Sequence, residues 1–158
     1  MTRLVVVRHA KSDWPAGVAD RDRPLAERGR RDATAAGRWV RDNAGPIDLA
    51  RCSTAARARQ TWDLMAAHLG EPAVRYEDRI HSASAGDLLA LVRELPSEAG
   101  TVLLVGHNPG LTDLVRLLAG GRPELKTASV AVLGWPGPWA DAGPAAASLA
   151  ALATPRGD

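Results

Sequence analysis

This 158-residue sequence predicts an α/β fold of three layers, a mostly parallel central sheet with helices on both faces. Two runs, Leu4-Val5-Val6-Val7 and Thr101-Val102-Leu103-Leu104-Val105, have the unbroken apolar character of strands covered on both sides. Strand-like and helix-like segments alternate over most of the chain, which is the rhythm of right-handed parallel crossovers. Each run also stops at a histidine, His9 in one case and His107 in the other, and a helical pattern follows. Ligands of open parallel sheets bind outside the carboxyl ends of the strands, so both rings are expected on one edge.

The first strand is expected over residues 3 to 8. Residues 10 to 24 carry Pro, Gly and charges without a period; leaving directly from His9, they read as a lid over a site rather than a solvated connection. A helix follows from Leu25 to Asn43, with Ala33, Ala36, Gly37 and Val40 at helical spacing, and Gly45-Pro46 stops it. Ile47 to Cys52 reads as the second strand. Ser53 or Thr54 then caps a helix whose inner face is Ala58, Trp62, Met65 and Leu69. Ala73 to Tyr76 is a brief strand, and Leu88, Leu91, Val92 and Leu95 mark a helix closed by Pro96. After the strand at 101 to 105, Asn108 and Pro109 read as N-cap and first residue of a helix carrying Leu111, Leu114, Val115 and Leu118. Ser129 to Leu133 is a strand and residues 134 to 139 a turn. The alanine-rich residues 145 to 153 favour helix by propensity, yet their place after a turn makes them a last strand paired with the one before.

Composition narrows the function. Hydrophobic residues are 46% and charged ones 24%, a globular balance sufficient for one domain over residues 1–158. A formal net charge of +2 is too weak to imply nucleic acid. Lysine occurs only at Lys11 and Lys126, and the arginine excess reads as a compositional habit before a binding face. Cys52 stands alone, so neither a disulfide framework nor a cysteine metal cluster is available. With a strand from residue 3 and no apolar stretch long enough for a bilayer, the expectation is a cytoplasmic protein without a membrane partner.

Arg57 belongs to the first turn of the helix after the second strand. Arg8, His9, Arg57 and His107 therefore come from three strand ends and can converge on one volume. Two guanidinium forks match phosphoryl oxygens, and free N–H groups at the helix start around Asn108 add donors aimed at an anion. Lys11 and Ser12 lie close enough in sequence to reach the same pocket. Two imidazoles with guanidiniums and no metal-ligand spacing read as a phosphate site, with neither a metal nor another cofactor expected. A cysteine phosphatase loop is excluded, because Arg57 is five positions beyond Cys52 and no glycine intervenes. The P-loop motif is absent. His68 and His81 read as surface residues, Arg59 as an exposed helix-face residue, and Trp14 as packing the loop.

Arg8-His9-Ala10, Ser53 to Thr61, and Gly106-His107-Asn108 resemble the three signatures of the histidine phosphatase superfamily, the phosphoglycerate mutase-like group. The run Arg8 to Trp14, with Arg23-Pro24-Leu25, Arg28-Gly29 and Val105 to Gly110, is similar to its SixA-like phosphohistidine phosphatase branch, over residues 3 to about 155. The resemblance implies a phosphoglycerate mutase-like fold. It makes His9 a nucleophile that becomes transiently phosphorylated, with Arg8, Arg57 and His107 holding the phosphoryl oxygens. It implies a phosphorylated protein as substrate, dephosphorylated at histidine; the alternative is small phosphate monoesters or nucleotide derivatives. A non-catalytic phospho-ligand module is the reading of another class. Where the mutases carry Gly and Asn, this chain has Ala10 and Pro15, so one amide contact to phosphate is missing. Where related phosphomonoesterases have Glu before Arg, it has Asp78-Arg79 with Glu77 one place earlier, which makes Asp78 the candidate proton donor.

Overall fold

Every residue from Leu4 to Val7 of the first strand, β1 (Thr2–Arg8), is fully buried, and strand geometry sends successive side chains to opposite faces. Leu4 and Val6 join Val102, Leu104, Leu111 and Leu114 in one half of the core. Val5 and Val7 join Leu103, Val105, Trp62 and Met65 in the other. Burial of such side chains stabilises the fold by about 1.5–3 kcal/mol apiece, which is why the sheet runs through the middle of the molecule.

The computed structural model describes residues 1–158. After β1 come α1 (Glu27–Asn43), β2 (Leu49–Ser53), α2 (Ala56–Ala66), β3 (Ala73–Glu77), α3 (Ala85–Arg93), β4 (Thr101–Gly106), α4 (Gly110–Ala119), β5 (Val130–Trp135) and β6 (Ser148–Ala153). The sheet order is β3-β2-β4-β1-β5-β6. The β3–β2, β2–β4 and β4–β1 pairs are parallel; β1–β5 and β5–β6 are antiparallel. Helices α1 and α2 cover one face, α3 and α4 the other. This is the expected α/β architecture. No helix is long and apolar enough to cross a membrane.

Departures from the expected boundaries have local causes. The second strand begins at Leu49, because Asp48 Oδ2 accepts hydrogen bonds from the Gly100 and Thr101 amides, both at 2.8 Å, ahead of the ladder. Leu25 is extended, bridged to Ser12 and donating its N–H to Gln60 Oε1 at 2.8 Å, so α1 starts at Glu27. Neither Ser53 nor Thr54 occupies the cap position of α2. Ala55 does, while the Ser53 hydroxyl accepts from the Ala55 amide and Thr54 Oγ1 is engaged by Asp78. Pro109, not Asn108, precedes the first residue of α4, although Asn108 Oδ1 still accepts the Thr112 amide at 3.2 Å. Gly134 and Trp135, read as turn, extend β5 by pairing with Arg3 and Thr2. The alanine-rich tail is strand β6, with the alternating exposure of a sheet edge in place of helix.

Residues 10 to 24 fold back on themselves through the Ser12–Leu25 bridge and a short 3-10 turn, Asp20–Asp22. Gly29 lets this loop pack onto α1: a Cβ there would overlap the Lys11 carbonyl oxygen. Trp14 does not pack inward; it is 75% exposed and lies over the Arg23 guanidinium at 3.4 Å.

Candidate active site

Parallel register sets the spacing of the two histidines. Arg8 of β1 pairs with Gly106 of β4, so the next residue on each chain is a histidine at the carboxyl edge. The His9 amide donates to the Gly106 carbonyl at 3.0 Å, and the two rings lie 5.1 Å apart at 56°. Ser53, the last residue of β2, brings its hydroxyl to 2.7 Å from His107 Nε2. Arg57 reaches the same space from the first turn of α2. His9, Arg57 and His107, together with Arg8, Lys11, Ser12, Trp14, Arg23, Asn108 and Thr127, line a cavity of about 360 Å³. A larger groove of about 670 Å³, between α1 and residues 155–158, contains none of them, so size does not identify the site.

Burial keeps both imidazoles neutral. Desolvation lowers the pKa of His9 to about 4, against the opposing pull of the Ala10 carbonyl and with the help of Arg57, Arg8 and Arg23. Desolvation, then the neighbouring His9 and Arg57, lowers His107 to about 3. His9 Nδ1 lies 2.7 Å from the Ala10 carbonyl oxygen, which can only accept. The ring proton is therefore on Nδ1, and Nε2 keeps a free lone pair. The Cys52 thiol is buried, and burial pushes its pKa far above the thiolate range.

Four buried side-chain nitrogens lack a hydrogen-bond partner: Arg8 Nε, Arg57 Nε, His81 Nε2 and His107 Nδ1. An unsatisfied buried polar group costs about 1–3 kcal/mol, and native proteins keep few of them. All four sit on residues of one neighbourhood. Guanidiniums have no acceptor capacity, so the missing partner of both arginines is an acceptor, such as an oxygen of an anion in the cavity they line.

The pattern that defines the histidine phosphatase superfamily (branch 1) matches residues 4–102, more than half of the chain. The chain belongs to that superfamily. An uncharacterized protein of Mycobacterium tuberculosis (strain ATCC 25618 / H37Rv) is 40% identical over 162 residues, covering 95% of this chain and all of that protein. A solved structure from Nakamurella multipartitia, named "Putative Phosphohistidine Phosphatase SixA", is 37% identical with a TM-score of 0.84, over 98% of this chain and 96% of that one. A second, from Agrobacterium tumefaciens and given the same name, is 29% identical with a TM-score of 0.85 over 98% of both chains.

In this member of the superfamily Arg8, His9, Arg57 and His107 meet as the sequence led one to expect, and Lys11 and Ser12 line the same cavity. Lys11 is exposed at the rim. Ser12 Oγ accepts from Arg23 at 2.8 Å. The Asn108 side chain is held by its neighbours: Nδ2 donates one of its two N–H groups to the Leu125 carbonyl, and Oδ1 accepts from the Thr112 amide and hydroxyl. Asn108 also lines the cavity. Asp78 is not brought in. It is highly exposed, held by Thr54 and Arg21, and those hydrogen bonds lower its pKa further. A carboxyl kept ionised has no proton to donate.

Three residues of the site were not read from the sequence as such. Arg23 is buried and donates to Ser12, Asp13 and Asp20. Asp20 accepts from Arg57 through its backbone carbonyl at 2.8 Å and its carboxylate at 3.3 Å. His81, expected at the surface, lies edge-on to His107 with ring centroids 5.2 Å apart. The signal for His81 was its place just past the carboxyl end of β3, the same edge that singled out His9 and His107.

Proposed function

We propose that this chain is a phosphatase that passes the substrate's phosphoryl group through His9, with phosphohistidine on a partner protein as the substrate. The single observation that carries the phosphoryl site is that three of the four unpartnered buried nitrogens, on Arg8, Arg57 and His107, belong to residues lining the one cavity that holds His9. A phosphoryl group brings about −1.5 to −2 charges and several acceptor oxygens to meet them.

In the first step His9 Nε2 attacks phosphorus. The bond to the leaving atom breaks, its electron pair departs with that atom, and a phosphorus–nitrogen bond forms on the ring. The Ala10 carbonyl holds the Nδ1 proton throughout and offsets the positive charge that develops on the imidazole. Arg8 and Arg57 stabilise charge spread over the phosphoryl oxygens, where preorganised donors contribute most. With the Ser53 hydroxyl, 2.7 Å away, as donor to His107 Nε2, the His107 proton is on Nδ1, the nitrogen without a protein partner. Water then attacks phosphorus, the phosphorus–nitrogen bond breaks with its electron pair returning to His9 Nε2, and the protons of the water leave with the phosphate.

A protein-borne substrate is favoured by the SixA names of the two full-length relatives and by the open rim, where Trp14 and Lys11 are exposed. The test is turnover of a fluorogenic aryl phosphate and of a phosphohistidine protein by wild type and His9→Ala. The variant should lose on the order of 10⁴-fold or more in kcat, as other covalent nucleophile deletions do. The wild type mixed rapidly with labelled substrate should hold acid-labile, base-stable label on His9. Turnover that survives in His9→Ala rejects the mechanism; activity on aryl phosphate alone rejects the substrate.

A further inference from the structure

The fourth unpartnered nitrogen belongs to a residue with no part in the mechanism above. His81 Nε2 is buried without a hydrogen bond, as are Arg8 Nε, Arg57 Nε and His107 Nδ1, yet its side chain as a whole is 23% exposed. The ring therefore looks both ways, toward His107 inside and toward an outer polar cavity lined by Arg21, Asp78, Arg79 and Asp87. Its place is fixed by packing. A Cβ on Gly110 would overlap the Ala83 carbonyl, so the segment after β3 lies directly on the first turn of α4. Ile80 is buried in the core beneath it.

Asp20 shows where an anion's oxygen goes. Its carboxylate Oδ2 accepts from Arg57 Nη2 at 3.3 Å and lies 3.6 Å from His81 Nε2. An oxygen that replaces it on Arg57 is then within reach of His81. We propose that His81 is a catalytic residue of this chain, its Nε2–H giving the proton to the leaving oxygen, so that phosphate monoesters of unactivated alcohols are also substrates. This rests on the phosphatase reading and extends its substrate class.

The balance is simple. As the bond from His9 Nε2 to phosphorus forms, the ester bond breaks, its electron pair goes to the leaving oxygen, and the proton from imidazolium His81 converts that oxygen to an alcohol. Neutral His81 then takes a proton from the attacking water while the phosphorus–nitrogen bond breaks back to His9. Ester and water go in; alcohol and phosphate come out.

The experiment is a leaving-group series, from 2,4-dinitrophenyl through 4-nitrophenyl to phenyl phosphate, with wild type, His81→Gln and Asp78→Asn. Phenyl phosphate should lose about 10²-fold or more in kcat/KM in His81→Gln, whereas the dinitrophenyl ester, whose leaving group needs no proton, should lose under about threefold. Asp78→Asn should leave the series as it is. Equal losses at every leaving group, or none, overturn the assignment. A tungstate-induced rise in the melting temperature of His81→Gln shows that the pocket is intact. Should the variant not fold, the wild-type series decides alone: a shallow dependence on leaving-group acidity supports an internal donor, and a steep one removes it. Failure of the wild type on every ester, with phosphohistidine still hydrolysed, overturns this inference only; failure on both removes the phosphatase reading beneath it.

Discussion

The carboxyl ends of β1 and β4 lie at the centre of the sheet and the carboxyl end of β3 at its edge, along one rim, and they treat their titratable groups differently. At the centre, strands flanked on both sides and covered by helices bury His9 and depress its pKa to about 4. At the edge, Asp78 stands in solvent and forms hydrogen bonds with Thr54 and Arg21 that keep it ionised. The same rule of strand ends nominated both places. Burial decides which of them holds a base with a free lone pair and which holds a spent acid.

The largest test of that contrast is Arg57→Lys. The guanidinium is buried and forked, and a lysine is a point charge on a flexible stem. A fall of about 10²–10³-fold in kcat, with the fold retained, is expected from loss of a preorganised donor. A loss under tenfold, read by steady-state kinetics, would place Arg57 on the same footing as the edge.

Stability against pH is the next. The folded pKa of His9 lies below its ordinary value of 6.5, so between pH 6.5 and about 4 the unfolded chain binds the proton that the folded chain rejects. Stability is therefore full above that window and falls as pH drops through it, by up to about 1.4 kcal/mol per pH unit per group. Chemical denaturation from pH 7 to 4 should show the decline, with a smaller slope for His9→Gln. An identical slope in the variant would mean that the centre is no more shielded than the edge.

Smaller effects follow at the boundary between the two regions. Asp20→Ala should tighten tungstate binding by roughly two- to fivefold in calorimetry, the scale of a partly exposed ion pair that the anion no longer displaces. Weaker binding would show that Asp20 organises the arginines instead of occupying them. Asp78→Asn should change phosphohistidine hydrolysis by less than about twofold, since exposed ion pairs contribute little. A large loss would return Asp78 to the chemistry.

Much of this arrangement was legible in the residue order. Unbroken apolar runs marked β1 and β4, and the register of parallel neighbours follows once both are placed, which is why His9 and His107 were paired from far apart in sequence. Arg57 was legible because a helix start after a strand has a known position. What escaped was whatever depends on an aperiodic segment: Arg23 and Asp20 come from the loop at residues 10 to 24, and no spacing rule places a loop residue over a pocket. The partner of His9 Nδ1 escaped for another reason, since the carbonyl of the next residue leaves no trace in side-chain identity. Helix starts were misjudged where a hydroxyl or amide expected at a cap was claimed by a tertiary neighbour, as with Thr54 and Asp78.

The pairing of Arg8 with Gly106 has a consequence for how such a protein can vary. The gap between the two imidazoles is measured by a main-chain ladder, which any pair of compatible strands can build, and not by the side chains that flank it. Reach, acidity and rim shape can drift through substitutions in the loop or past β3 while that ruler stays as it is. A slip of one rung, by contrast, would carry one ring away by about 3.3 Å and turn it to the opposite face of the sheet.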